Sequence, residues 1–194
     1  DFKTGNYQNV CTKICDMLFE IDNIIYQKNE TVAVRLEDVK ERPEKTIPAL
    51  CTWMNIKNAD SLYQMTAQGR RWWGDPTSSD YKKDGMKPFG KASINRKTGS
   101  IFSKNDELII KTLFYPFSAR FGYTTDNVKK FKADLKMIKP MIDQIFDFEK
   151  KLIENQNIKP KDFKISGPYL YLRSKLMQRW NTLHKHHTYP NLIK

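Results

Sequence analysis

Hydrophobic side chains recur every three or four residues along most of the chain, a spacing that predicts a mainly helical protein. It indicates helices over residues 8–27 and 126–155 and from Gly167 onward. β-Branched residues alternate from Thr31 to Leu36 and predict one strand. A lone strand leaves its backbone groups without partners. Either further strands escape the pattern, or this strand joins a sheet whose other members lie outside the sequence; an N-terminus without Met favours the second.

Capping and proline signals predict several helix boundaries. Pro43 suits the first turn of a helix, where a missing N–H does no harm. Ser103 and Asp106 resemble a capping box that starts another helix. A short helix is expected from residue 60 to residue 69. Residues 74–99 lack periodicity and are rich in Gly, Pro, Ser, Asp and Lys, which is typical of a long functional or mobile loop.

The charge of the chain is strongly positive, with 34 basic and 22 acidic residues and a formal net charge of +12. Residues 126–194 carry +8 of that charge, from 15 basic and 7 acidic side chains. Such asymmetry favours an anionic partner, although a solvated basic face gives the same pattern. The longest apolar runs are too short to cross a bilayer. Only three cysteines are present, so no disulfide framework is expected, and a cytoplasmic location is favoured.

Several motifs in the first two thirds of the chain occur in a recognisable order. They are Val-Arg-Leu-Glu-Asp-Val at 34–39, Pro43, Leu-Cys-Thr-Trp-Met-Asn-Ile at 50–56, Thr-Ala-Gln-Gly-Arg-Arg-Trp-Trp-Gly-Asp at 66–75, Ala-Ser-Ile-Asn-Arg-Lys at 92–97 and Phe-Gly-Tyr at 121–123. Together they resemble the C-terminal half of sulfotransferases, which transfer a sulfuryl group from 3′-phosphoadenosine 5′-phosphosulfate (PAPS) to a hydroxyl or amine. This resemblance implies an α/β fold, namely the C-terminal part of a P-loop-like three-layer fold with a parallel sheet. It further implies that residues 1–124 belong to the sulfotransferase-like domain and that residues 125–194 form a helical basic extension.

The resemblance also implies which residues contact the nucleotide. Thr66 and Trp72 would lie near the adenosine, and Arg96 and Lys97 would cover the 3′-phosphate, with Arg70 neutralising a phosphate or an acidic acceptor. Arginine suits that task because its guanidinium offers two N–H donors in a fork. The alternative interpretation makes Trp72 a packing residue, Arg70 a helix-terminal charge and the basic loop a solvated one. The resemblance requires no metal and identifies no catalytic residue here.

The family's phosphosulfate-binding strand, loop and helix have no counterpart before Val32. We therefore expect a missing N-terminal half and no turnover by the isolated chain. Two other functions stay open: a non-catalytic helical interaction module and a basic nucleic-acid-binding domain. Nucleic acid is the less favoured, because no helix-turn-helix, RNA-recognition or zinc motif is present. Three further predictions concern single features. Asp38 is expected to hold the turn after the strand, Cys11 and Cys15 to be buried thiols, and the histidines at 184–187 to lie in a surface tail.

Overall fold

The computed structural model describes residues 7–20, 30–64, 66–67, 70–71, 89–90, 94, 102–183 and 189–193. Within these residues the helices are α1 (Tyr7–Glu20), α2 (Leu36–Glu41), α3 (Pro43–Met54), α4 (Lys104–Leu113), α5 (Tyr115–Arg120), α6 (Val128–Ile142), α7 (Asp147–Gln156), α8 (Pro160–Lys164) and α9 (Gly167–Thr182), with a short 3₁₀ helix at Asp60–Tyr63. The strands are β1 (Val32–Ala33), β2 (Thr66–Ala67), β3 (Arg70–Arg71) and β4 (Asn191–Leu192).

The chain groups into two compact units. The larger unit spans Asp1–Glu30 and Thr98–Tyr189, and the smaller unit spans Thr31–Lys97 and Pro190–Lys194. The boundary at residues 124 and 125 that the sequence suggests falls inside the larger unit. Each compact unit thus combines segments that are distant from one another in the sequence.

The larger unit is a set of helices around one apolar core. Helix α1 packs along α9, and α4 packs along α6, with α9 also touching α4 and α6. Helices α1, α4, α6, α7 and α9 each contribute a stripe of buried side chains, as their helical spacing predicts. The core includes Cys11, Cys15, Leu18, Ile109, Leu113, Leu135, Ile138, Ile142, Phe148, Leu152, Leu172 and Leu176.

The prolines and the helix cap of the larger unit have different effects on where its helices begin and end. The capping box at Ser103 and Asp106 is confirmed, and α4 begins there. Helix α4 ends at Leu113, and Pro116 lies in the first turn of α5, which follows directly. Pro140 lies inside α6 and does not end it. The predicted helix over 126–155 is broken at residues 143–146, where α7 starts anew.

The smaller unit contains two short pairs of strands and two helices. Strand β1 pairs in parallel with β4, with Val32 opposite Asn191 and Ala33 opposite Leu192. The amide of Ile193 continues this pairing by donating to the carbonyl of Ala33 at 3.0 Å. Pro43 occupies the first turn of α3, as predicted. The strand at 31–36 thus has a partner from the end of the same chain.

The prediction of a three-layer fold with a parallel sheet is wrong. The described residues are predominantly helical, and their parallel pairing is limited to β1 and β4. The alternation from Thr31 to Leu36 suggested an inner strand, but the extended segment is two residues long. Its continuation turns into α2 at Leu36. None of the described helices is long and apolar enough to cross a membrane.

Candidate functional site

The predicted nucleotide-binding residues divide between a described hairpin and segments outside the description. Strands β2 and β3 pair antiparallel, with Thr66 opposite Arg71 and Ala67 opposite Arg70. Opposite Cα atoms in such a pair are about 4.5–5.5 Å apart. The backbone of Thr66 therefore lies close to that of Arg71, and Arg70 belongs to the same hairpin as its neighbour in β3. The short helix expected up to Gly69 ends instead at Tyr63. Trp72, Arg96 and Lys97 lie outside the described residues.

Asp38 holds the turn that follows β1. Its side chain is almost fully buried and binds two arginines: Arg35 donates from Nε and a terminal nitrogen, both at 2.7 Å, and Arg42 donates to Oδ1. The carbonyl of Asp38 accepts from the hydroxyl of Thr46 at 3.0 Å. Hydrogen bonds from Arg35, with those from Arg42, hold the pKa of the Asp38 carboxyl below its usual value. The structural role predicted for Asp38 is confirmed.

The larger unit contains a buried ionic network around Glu149. The hydroxyl of Tyr7 donates to Glu149 Oε1 at 2.5 Å, and Arg173 and the amide of Phe146 donate to Oε2. Arg173 also donates to the carbonyl of Gln144 at 2.6 Å. Burial, and then the nearby Glu149 carboxylate, raise the pKa of Tyr7. With Glu149 fully buried, each of its oxygens needs such donors, so this network is structural.

Arg173 is further held between two aromatic rings. Its guanidinium carbon lies 4.1 Å from the ring centroid of Phe146 and 4.4 Å from that of Tyr169. Two of its nitrogens, Nε and Nη1, have no hydrogen-bond partner. Cation–π contact is the interaction available to those two nitrogens in this position. The ring faces thus account for the part of the guanidinium that Glu149 does not reach.

Asp106 caps two helices at once. It accepts from the amide of Ser103 at the start of α4, and from the amides of Asp147 and Phe148 at the start of α7, at 2.9–3.1 Å. The hydroxyl of Ser103 reaches across to Asp147 at 2.7 Å. A carboxylate at two helix N-termini satisfies amides that have no partner within their helices. Helix capping and the hydrogen bond from Ser103 therefore account for the carboxylates of Asp106 and Asp147.

The thiols of Cys11 and Cys15 lie in the core, as predicted, and Cys51 is buried in the smaller unit. Burial raises the pKa of Cys11 to about 12 and that of Cys15 to about 11. A thiolate is the reactive form of cysteine, so neither thiol is activated. Within the described residues, no group of three or more His, Cys, Asp and Glu side chains could hold a metal ion. The histidines at 184–187 lie outside the described residues.

One side of α6 carries paired charges. Asp126 binds Lys111 at 2.8 Å and Lys130 at 3.5 Å, and Lys130 binds Asp134 at 2.6 Å. The hydrogen bond from Lys111 lowers the pKa of Asp126, and the bond to Asp134 raises the pKa of Lys130. Asp126 and Asp134 thus lie on one side of α6, together with Lys111 and Lys130, the two lysines that they bind.

The other side of α6 carries four exposed lysines, which we call the lysine stripe: Lys129, Lys132, Lys136 and Lys139. Their spacing of three, four and three residues places them within about 80° of the helix circumference. In the part of the chain that the structure describes, no ion pair involves any of the four. The ammonium of Lys139 lies 4.7 Å from the ring centroid of Trp180. This spacing is visible in the sequence, although the net charge of residues 126–194 alone does not indicate it.

Comparisons of this chain with protein-family models, with curated proteins and with solved structures gave no match. The assignment of a function to this chain therefore depends on its own residues and their geometry.

Proposed function

We propose that this chain binds the sulfuryl donor PAPS through its smaller unit and contributes adenosine and 3′-phosphate contacts to sulfuryl transfer. The observation that carries this proposal is the β2–β3 hairpin, in which the backbone of Thr66 pairs opposite Arg71 and that of Ala67 pairs opposite Arg70. Arginine and threonine are residue types that donate hydrogen bonds to phosphate, and this short hairpin contains both.

The remaining contacts come from the resemblance. Trp72 would stack on the adenine, and Arg96 and Lys97 would bind the 3′-phosphate. Stacking of a base on an aromatic ring contributes about 1–3 kcal/mol. The acceptor would be a hydroxyl or an amine. No segment before Val32 resembles the phosphosulfate-binding motif, so the proposal is one of nucleotide binding, without turnover by this chain.

A cytoplasmic location belongs to the same proposal. All three cysteines are free thiols in the structure. Thiols remain reduced in the cytoplasm, so their state agrees with this location.

Calorimetric titration with 3′,5′-ADP tests the proposal, because this nucleotide is what PAPS becomes after sulfuryl transfer and carries the 3′-phosphate without the reactive sulfuryl group. We expect measurable binding that weakens about tenfold or more in Arg70→Ala and in Arg96→Ala, since a hydrogen bond to a charged group contributes about 1.5–3 kcal/mol. Lys57→Ala removes an exposed positive charge from the same unit and should leave binding unchanged.

The other open functions predict different results in this experiment. Binding to polyanions but not to 3′,5′-ADP would support the nucleic-acid alternative, and binding to neither would support an interaction module. Either result contradicts the proposed nucleotide site, as does an equal loss in Lys57→Ala.

A further inference from the structure

The lysine stripe on α6 opposes the electrostatics of its own helix. Lys129 lies in the first turn, where the helix dipole favours acidic residues, and that turn contains none. Neighbouring lysines of the stripe are three or four residues apart, a spacing at which like charges repel. The described structure contains no carboxylate that offsets this repulsion for Lys129, Lys132 or Lys136.

Neighbouring helices do not neutralise the stripe either. Helix α9 lies beside it, because Trp180 Nε1 donates to the carbonyl of Leu135 at 3.0 Å and its ring faces Lys139. The sequence of α9 contains no acidic residue. Asp126 and Asp134 are occupied by Lys111 and Lys130 on the other side of α6. Asp143, one turn after Lys139, marks the end of the stripe. A polyanion is the partner that complements this surface.

We propose that the lysine stripe binds the phosphate backbone of double-stranded nucleic acid without reading its sequence. From Lys129 to Lys139 the stripe extends about 15 Å. Each strand of a duplex presents one phosphate per 3.4 Å of axis, so about four phosphates face that length. Four lysines along this length of α6 match this charge density.

The aromatic residues nearby favour a duplex over a single strand. Single-stranded binding uses exposed rings on which bases stack. Here the ring of Trp180 is covered by Lys139, and Phe131 is stacked on Tyr115 at 4.3 Å. The apolar face of α6 is in the core, with Leu135, Ile138 and Ile142 buried, so it is not available for insertion into a lipid surface.

The test is fluorescence anisotropy of the full chain with a labelled 20-base-pair duplex at 50 to 200 mM salt. Four phosphate contacts predict a slope of log K against log salt of about −3.6, equal for two unrelated sequences. In the triple variant Lys129→Gln, Lys132→Gln, Lys136→Gln, the slope should fall to about −0.9, and affinity at 50 mM salt should fall at least tenfold.

The matched control is Lys151→Gln, Lys161→Gln, Lys164→Gln, which removes the same charge from exposed lysines outside α6. Its duplex affinity should stay within about threefold of the unmodified chain. Urea unfolding checks that the stripe variant is folded; its midpoint should be equal to or above that of the unmodified chain.

Three results would overturn the proposal: equal losses in the two triple variants, no duplex binding at 50 mM salt, or binding to heparin or phosphatidylserine vesicles without binding to the duplex. The proposal does not depend on the nucleotide site, and the stripe variant should still bind 3′,5′-ADP. Failure of one proposal is therefore distinguishable from failure of the other.

Discussion

Both compact units bury a carboxylate bound by arginine, but they do so over different distances in the sequence. In the larger unit Glu149 is 0% exposed and the side chain of Arg173 is 8% exposed, and Tyr7 adds a donor from the far end of the chain. In the smaller unit Asp38 binds Arg35 and Arg42, whose side chains are 25% and 47% exposed. The Glu149 network joins separate helices, whereas the Asp38 cluster fixes one local turn.

The larger unit also buries more apolar residues than the smaller unit does. The larger unit gathers buried side chains from α1, α4, α6, α7 and α9. Among the described residues of the smaller unit, the buried apolar residues are Pro43, Ile47, Cys51 and Ile193. Regions with few buried apolar contacts open at lower free energy, and binding segments come from such regions. We therefore expect the smaller unit to be the one whose stability responds to a ligand.

The largest expected effect comes from breaking the Glu149 network. Glu149→Ala leaves Arg173 buried without its carboxylate and should lower the free energy of unfolding by about 3–5 kcal/mol. Urea denaturation measures the loss. Glu154→Ala, at an exposed position of the same helix, is the control and should change stability by less than about 0.5 kcal/mol. Similar losses of unfolding free energy in the two variants would contradict the stabilising role assigned to the Glu149 network.

A smaller loss is expected from Asp38→Ala. Both arginines keep access to water, so we expect a decrease of about 1.5–3 kcal/mol in the stability of the smaller unit. The lowered pKa of Asp38 makes this contribution depend on pH. It is fully present above the unfolded pKa of about 3.9 and is lost as pH falls through the lower, folded pKa.

Unfolding followed between pH 7 and pH 2 checks this sign. The difference in stability between the unmodified chain and Asp38→Ala should shrink at low pH. A difference that stays constant down to pH 2 would contradict the role assigned to the carboxylate.

Thiol alkylation compares the opening of the two units directly. Cys11 and Cys15 lie in the larger core with raised pKa values, and Cys51 is buried in the smaller unit. At pH 8 we expect iodoacetamide to modify Cys51 at least tenfold faster than the other two, because the smaller unit opens more readily. Mass spectrometry of peptides gives the three rates, and denatured protein supplies the reference rates. Faster reaction at Cys11 would reverse the order of stability inferred here.

The smallest effect should be a gain. Lys129→Glu places an acidic residue in the first turn of α6 and three residues before Lys132 on the same side of the helix, and should stabilise the larger unit by about 0.3–1 kcal/mol. Lys151→Glu, at an exposed position of α7, is the control for charge alone. A lower urea midpoint in Lys129→Glu would contradict the electrostatic strain assigned to the stripe.

The sequence predicts local features of this fold well and its long-range pairing poorly. The stripe of Cys11, Cys15 and Leu18 and the box of Ser103 and Asp106 depend on residues a few positions apart, and both are confirmed. The pairing of β1 with β4 joins segments about 160 residues apart, and β4 is only two residues long. No periodicity marks such a segment, so the strand near residue 32 was wrongly placed in a larger sheet.

In the candidate site, too, local features could be predicted from the sequence and long-range contacts could not. The motif around Thr66 and Arg70 could be recognised from its residues, but the glycine at 69 suggested a helix end, whereas the described residues on either side of it pair as antiparallel strands. Glycine is common both at helix ends and in tight turns between strands, so the residue type alone does not distinguish the two. The second helix cap supplied by Asp106 could not be foreseen, because the amides that donate to its carboxylate lie 41 and 42 residues away.

Hydrogen exchange with and without 3′,5′-ADP, read by mass spectrometry, tests the central claim most directly. We predict that without ligand the amides of 32–56 exchange faster than those of α6 and α9. Added 3′,5′-ADP should slow exchange in 31–71 and leave α6 and α9 unchanged. Slower exchange confined to the larger unit, or no change in either unit, would contradict the claim that the smaller unit binds the nucleotide.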